Sequence, residues 1–96
     1  GWFSFAMKVD PNRTQDLICM FWGGDSGGRE FDVLVNGETI ATQKLDGNRP
    51  GRFYDEVYAL PARLTQGKTD IVIKLQAHPG KTAGGLFGAR IIRKEQ

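Results

Sequence analysis

The feature that most constrains this chain is a period of two that returns in seven short segments, with no convincing period of 3.6 in any of them. Phe3, Phe5, Met7 and Val9 alternate with Trp2, Ser4, Ala6 and Lys8, as a half-buried strand requires. Asp10-Pro11-Asn12 breaks that run, because proline fixes φ and Asp and Asn favour turns. Gln15 to Trp22 is apolar on both faces, Leu17, Cys19 and Phe21 on one and Ile18, Met20 and Trp22 on the other, the pattern of a central strand covered on both sides. Phe31, Val33 and Val35 lead into Asn36-Gly37, the strongest two-residue hairpin signal, and Glu38 to Lys44 returns from it. Phe53 to Leu60 gives a fifth strand. Asp70 to Ala77 gives a sixth, with Ile71, Ile73, Leu75 and Ala77 inward, and Leu86 to Arg93 a seventh. Pro61 to Gln66 has room for one helical turn, ended by Gly67.

Seven short strands at fairly regular spacing predict an all-β fold. The expected architecture is an antiparallel β-sandwich of the jelly-roll, galactose-binding-like or immunoglobulin-like kind. With 96 residues the chain makes one such domain, over residues 1–96, and opens directly on Gly1-Trp2-Phe3 as a piece cut from a longer protein would. The composition is that of a globular chain, 40% hydrophobic and 25% charged. Thirteen Lys and Arg against 11 Asp and Glu leave a net charge of +2, with the basic residues scattered singly. That is not the stripe of a nucleic-acid binder. No apolar run approaches the ~20 residues of a membrane-spanning helix. One cysteine excludes an internal disulfide and a cysteine-built zinc site, and no cofactor motif is present.

If successive strands run antiparallel, the first, third and fifth connections (residues 9–14, 36–37 and 61–69) share one end of the sandwich. The second, fourth and sixth (Gly23 to Arg29, Leu45 to Gly51, His78 to Gly85) share the other. That second end gathers nine of the 13 glycines. Glycine permits positive φ and close approach of the backbone to another surface, and loops on a rigid scaffold are where recognition resides. The candidate ligand-binding residues cluster there: Trp22, Asp25, Arg29, Asn48, Arg49, Arg52 and His78, with Tyr54 and Tyr58 on one face of the fifth strand as a second aromatic platform. Sugar-binding modules work in this way, stacking the apolar face of a sugar ring on an aromatic while Asp, Asn and Arg bond the hydroxyls. Arg29, Arg49, Arg52 and Lys81 outnumber Asp25 and Asp46 at this rim, which favours a carboxylate-bearing sugar or an acidic protein surface. One isolated acid per loop is thin support for calcium.

Several apparent motifs do not carry chemistry. Gly24-Asp25-Ser26-Gly27-Gly28 matches the surroundings of a chymotrypsin-like nucleophile, but the only histidine, His78, follows the serine, and the rest of that double barrel is absent. Gly80-Lys81-Thr82 matches the end of a phosphate-binding loop, yet Leu75 stands where the first glycine is needed and a strand follows instead of a helix. Cys19, mid-strand between Ile18 and Met20, reads as a small core hydrophobe. His78 reads as a polar cap on a strand end. Asp25 with Glu30, or Asp55 with Glu56, would serve glycoside hydrolysis only across a cleft that nothing in the sequence builds.

Three segments taken together, Phe21-Trp22-Gly23-Gly24-Asp25, Phe31 to Gly37 and Ala77 to Gly88, resemble the C-terminal β-sandwich domain of glycoside hydrolase family 127-type proteins, the β-L-arabinofuranosidase-like group. Gly51-Arg52-Phe53-Tyr54-Asp55 and Leu60-Pro61 fit the same pattern, so the resemblance covers nearly all of the chain. It implies a non-catalytic accessory domain, since the chemistry of that group belongs to a separate helical barrel with a zinc-bound cysteine. The implied partner is the catalytic domain of the same chain, against which the sandwich packs, and the implied compartment is periplasmic or secreted. The alternative is a carbohydrate-binding module that uses exposed aromatics at the glycine-rich end on plant cell-wall glycan.

Overall fold

The structure, a computed structural model, describes residues 1–22, 29–45, 51–81 and 86–94. Seven strands follow one another: β1 (Trp2–Lys8), β2 (Gln15–Trp22), β3 (Arg29–Val35), β4 (Glu38–Leu45), β5 (Phe53–Leu60), β6 (Asp70–Ala77) and β7 (Leu86–Arg93). One helical turn, α1 (Ala62–Thr65), lies between β5 and β6. The strands form two antiparallel sheets, one in the order β1-β6-β3-β4 and the other β5-β2-β7. This is the expected all-β sandwich, with every strand where the alternation places it.

The apolar phase of each strand decides which face turns inward. Leu17, Cys19 and Phe21 of β2 meet Phe31, Val33 and Val35 of β3 and Ile71, Ile73 and Leu75 of β6, all essentially fully buried. The rings of Phe21 and Phe31, 5.9 Å apart and tilted, tie the two sheets together toward the end where β2 and β6 finish. Phe3, Phe5 and Met7 of β1 and Leu86, Ala89 and Ile91 of β7 close one side, half-buried. On the other side Tyr58 of β5 reaches across, and its hydroxyl donates to Gln43 Oε1 of β4 at 2.7 Å.

Two details of backbone conformation match their residues. Asn36 and Gly37 both take positive φ (49° and 86°), as the two-residue β3–β4 hairpin requires. Asn36 also accepts the Val72 N–H at 2.9 Å through its side-chain oxygen, which fastens the hairpin to β6. At the β1–β2 connection the amide of Gln15, 1% exposed, accepts the Asp10 N–H (2.7 Å) and donates to the carbonyls of Asp10 (2.8 Å) and Arg13 (2.9 Å).

The first, third and fifth connections do meet at one end. Gly67 N–H donates to the Pro11 carbonyl at 3.1 Å, Val9 N–H to Thr69 at 3.0 Å, and Asn36 lies beside Leu64 and Val72. Pro11 to Thr14, Ala62 and Thr65 to Gly67 line an open groove of about 550 Å³ there.

One expectation needs correction. β2 is central, but only its inner face is covered. Ile18, Met20 and Trp22 on the outer face are half-buried by their in-sheet neighbours alone, because this sheet is three strands wide and among the described residues no element packs over it. Phe53, Val57, Phe87 and Ile92, on the flanking strands, are 44 to 59% exposed.

Candidate functional site

The described flanks of the second, fourth and sixth connections converge at the other end of the sandwich. Trp22 ends β2 directly opposite Phe53, the first residue of β5, and Phe21 stands opposite Leu86, the first of β7. His78, which follows β6, donates its backbone N–H to Glu30 of β3 at 3.0 Å. The predicted site residues Asp25, Asn48 and Arg49, with most of the glycine-rich connections, lie outside the described residues.

What the structure builds at this end is a row of three aromatic rings on the outer face of the three-stranded sheet. Trp22 and Phe53 are cross-strand partners with ring centroids 5.0 Å apart at 62°. Phe87 continues the row, 5.1 Å from Phe53 at 67°. Edge-to-face packing of this kind is the favoured arrangement of aromatic quadrupoles, and it holds each ring in place against its neighbour. Phe87 joins the row through a register shift: Met20 pairs with Gly88 but Phe21 with Leu86, so β7 carries one extra residue at this point. A bulge of this sort re-aims a side chain, and here it turns Phe87 outward between the inward-facing Leu86 and Ala89. Gly88 leaves space for Met20, whose methyl would lie 3.4 Å from a β-carbon placed there. Arg52, exposed, precedes Phe53 and makes no ion pair with another described residue.

The remaining candidates do not join the row. Tyr54 and Tyr58 do not form a second platform. They share a face, as expected, but it is the inner one: Tyr54 packs 6.2 Å from Phe21, and Tyr58 is buried in the core with its phenol pKa pushed well up by burial. Leu60 sets this phase, since it must point inward and takes Tyr58 and Tyr54 with it. Arg29 begins β3, half-buried. Trp2, read as core or edge filling, lies at the edge of the four-stranded sheet and is 60% exposed, with Lys74 Nζ 4.5 Å from the centre of its ring.

His78 does more than cap a strand. Its Nδ1 lies 3.0 Å from Glu30 Oε1 and its Nε2 2.7 Å from Asp32 Oδ1, and Asp32 also accepts the Thr42 hydroxyl at 2.7 Å. The Asp32 contact, then the Glu30 contact, raise the His78 pKa; in turn the bonds from His78 and then Thr42 lower that of Asp32. The two carboxylates lie on opposite ring nitrogens rather than converging on one point, and among the described residues no cluster of His, Cys, Asp and Glu is arranged to hold a metal ion.

The other chemically competent side chains named above do not assemble into a reactive pair. Cys19 is buried and its thiol is pushed up to about 12, chiefly by burial and then by the charge of Asp55, so it is a poor nucleophile. Asp55 and Glu56 point to opposite faces of β5, and Asp55 pairs with Arg90 at 2.9 Å, so these two carboxylates do not face each other. Among the described residues no helix is long and apolar enough to cross a membrane.

The sequence reading missed Phe53 and Phe87. Phe53 was accessible to it, since its phase is opposite to Leu60. Phe87 was not, because the bulge breaks the alternation of β7, although a glycine inside a strand, Gly88, is the usual mark of a bulge.

The fold is shared with a solved structure, the native form of a family 35 carbohydrate-binding module from Clostridium thermocellum. The two superpose with a TM-score of 0.59 at 16% identity, over 96% of this chain and 65% of that one. The chain thus spans about two thirds of the module's length, and at this identity the likeness is one of fold. No curated protein matches the sequence. Residues 1–92 match the model of a family of unknown function, DUF6805, and the chain belongs to that family.

Proposed function

We propose that this domain is a non-catalytic carbohydrate-binding module, and that it holds its glycan on the row formed by Trp22, Phe53 and Phe87. The observation that carries the proposal is the row itself: three mutually braced rings, two of them about half exposed, at the glycine-rich end. Rings held by their neighbours lose little freedom when a sugar face stacks on them, and the cost of ordering a side chain is what weakens many surface contacts. Arg52 beside the row supplies a hydrogen-bond donor for hydroxyl or carboxylate oxygens. The fold held in common with a family 35 carbohydrate-binding module supports this reading, as that module's name states what it binds.

The test is a titration of the isolated domain with plant cell-wall arabinans, pectins and simple sugars, following tryptophan fluorescence. Saturable quenching that Trp22→Ala removes is the expected result. A flat response from a folded sample across the whole panel would sink the proposal.

A second reading has its own supporting observation. Past the aromatic row the outer face carries Ile18, Val57 and Ile92 around the Asp55–Arg90 ion pair, a mixed surface wider than a single sugar ring would cover. An accessory domain of a family 127-type glycoside hydrolase, packing on its catalytic domain, would use such a face. Under that reading Val57→Lys and Ile92→Lys would release the domain from its parent enzyme and leave glycan titrations unchanged.

A further inference from the structure

We infer that His78 is a proton-operated clamp which fastens the turn entering the β6–β7 connection to strand β3. A carboxylate has no proton to give, so each ring nitrogen that bonds one must act as the donor. His78 bonds two, Glu30 through Nδ1 at 3.0 Å and Asp32 through Nε2 at 2.7 Å. A neutral imidazole carries one N–H. The arrangement is complete only when the ring is the doubly protonated imidazolium.

The clamp sits where it governs a turn. The backbone N–H of His78 donates to the Glu30 carbonyl at 3.0 Å, and the His78 carbonyl accepts the Lys81 N–H at 2.9 Å, closing the turn 78–81 over Gly80 with its φ of 76°. Asp32 in turn accepts the Thr42 hydroxyl, so the contact runs from β6 through β3 to β4. The side chain of His78 is 30% exposed, which lets solvent protons reach it.

The charges around it come from each neighbouring strand. Glu30 and Asp32 project from β3, and Lys44 of β4 stands opposite Glu30 in the register. On β6 the nearest charge is Lys74, whose ammonium lies over the Trp2 ring, and the turn itself adds Lys81. β1 offers the Gly1 carbonyl, which accepts the Ala77 N–H at 2.9 Å. The two carboxylates are the groups in direct contact with the ring, and both favour its charged form.

When His78 loses its proton, one nitrogen becomes an acceptor facing a carboxylate oxygen, and that bond turns to repulsion. The pKa of His78 is raised in the folded state, so the clamp is fully engaged below the ordinary histidine value of ~6.5 and is released as pH rises through the folded value. Asp32, lowered in the folded state, works in the opposite sense: its share is present above the ordinary aspartate value of ~3.9 and is lost as pH falls through its folded value.

The experiment is an NMR titration of the labelled domain from about pH 5 to about pH 9, a range that brackets imidazole titration. It reads the His78 ring nitrogens together with the exchange protection of the His78 and Lys81 amides. The expected result is a doubly protonated ring whose midpoint lies above that of free histidine, and a midpoint that falls in both Asp32→Asn and Glu30→Gln. Amide protection at the turn should drop through the same midpoint, by about tenfold for each pKa unit of elevation. His78→Gln, whose amide can donate but does not titrate, should flatten that pH profile. A midpoint at or below the free value would overturn the inference. So would turn protection that ignores the His78 titration, or a profile that His78→Gln leaves intact.

Discussion

Gln15 is the residue at which one side chain is predicted to matter most for the stability of the end opposite the aromatic row. Its amide is buried and makes three hydrogen bonds to the backbone of residues 10–13, at 2.7, 2.8 and 2.9 Å. Gln15→Leu keeps the volume roughly constant and removes all three. At ~0.5–1.5 kcal/mol net for each bond, the loss is about 3 kcal/mol, because leucine cannot satisfy the Asp10 N–H or the two carbonyls it leaves behind. A domain of this length has a total stability of roughly 5–14 kcal/mol at ~0.05–0.15 kcal/mol per residue. The substitution should therefore remove a large share of it and lower the melting temperature by about 10–20 °C. Urea unfolding is the assay, and the midpoint should fall while the m-value holds, since the surface exposed on unfolding is unchanged. Gln15→Glu is the informative control. It keeps an acceptor for the Asp10 N–H but puts a second oxygen against two carbonyls, so it should be at least as damaging near neutrality and partly recover in acid as the carboxyl gains a proton. A loss under about 1 kcal/mol for Gln15→Leu would refute the reasoning, because a single net hydrogen bond would then account for the whole effect.

Three further outcomes follow from other contacts. Tyr58→Phe deletes the bond to Gln43 that joins β5 to β4 and leaves the Gln43 oxygen wanting a donor; about 1 kcal/mol should be lost by denaturant unfolding, and no loss would mean water replaces the hydroxyl. Gly37→Ala forces a β-carbon into a φ of 86° in the hairpin, which thermal melting should register as about 1 kcal/mol of destabilisation, whereas a neutral effect would show that the turn can change type. Cys19, buried with its thiol pushed up to about 12, should resist a thiol reagent at neutral pH in the native protein and react at once in denaturant; prompt native labelling would mean that β2 opens far more readily than a core strand should.

The strands were legible because each one buries a single face and the phase of that face is written in alternate residues. β6 is the clearest instance, with Ile71, Ile73 and Leu75 inward and Val72, Lys74 and Gln76 outward. The same alternation misled where both phases are apolar. Ile18, Met20 and Trp22 look like a second buried face, but periodicity records only that apolar residues are present, and here they lie on an open surface. The tyrosines of β5 were drawn to function by residue type, when the phase set by Leu60 already turned them inward. Phe87 could not be placed by counting, because a one-residue bulge reverses the phase within β7. The partners of His78 stand 48 and 46 residues away and are brought to it by the pairing of β3 with β6, which no local pattern specifies.

The most direct test of the proposed glycan site is NMR shift mapping of the labelled domain as arabinan and pectin fragments are added. Shifts that saturate and concentrate on the Trp22 indole, the Phe53 and Phe87 rings and Arg52, and that vanish in Phe53→Ala with Phe87→Ala while the rest of the spectrum is kept, are the predicted result. An unchanged spectrum from a folded sample, or saturable shifts confined to the four-stranded sheet around Trp2, would contradict it.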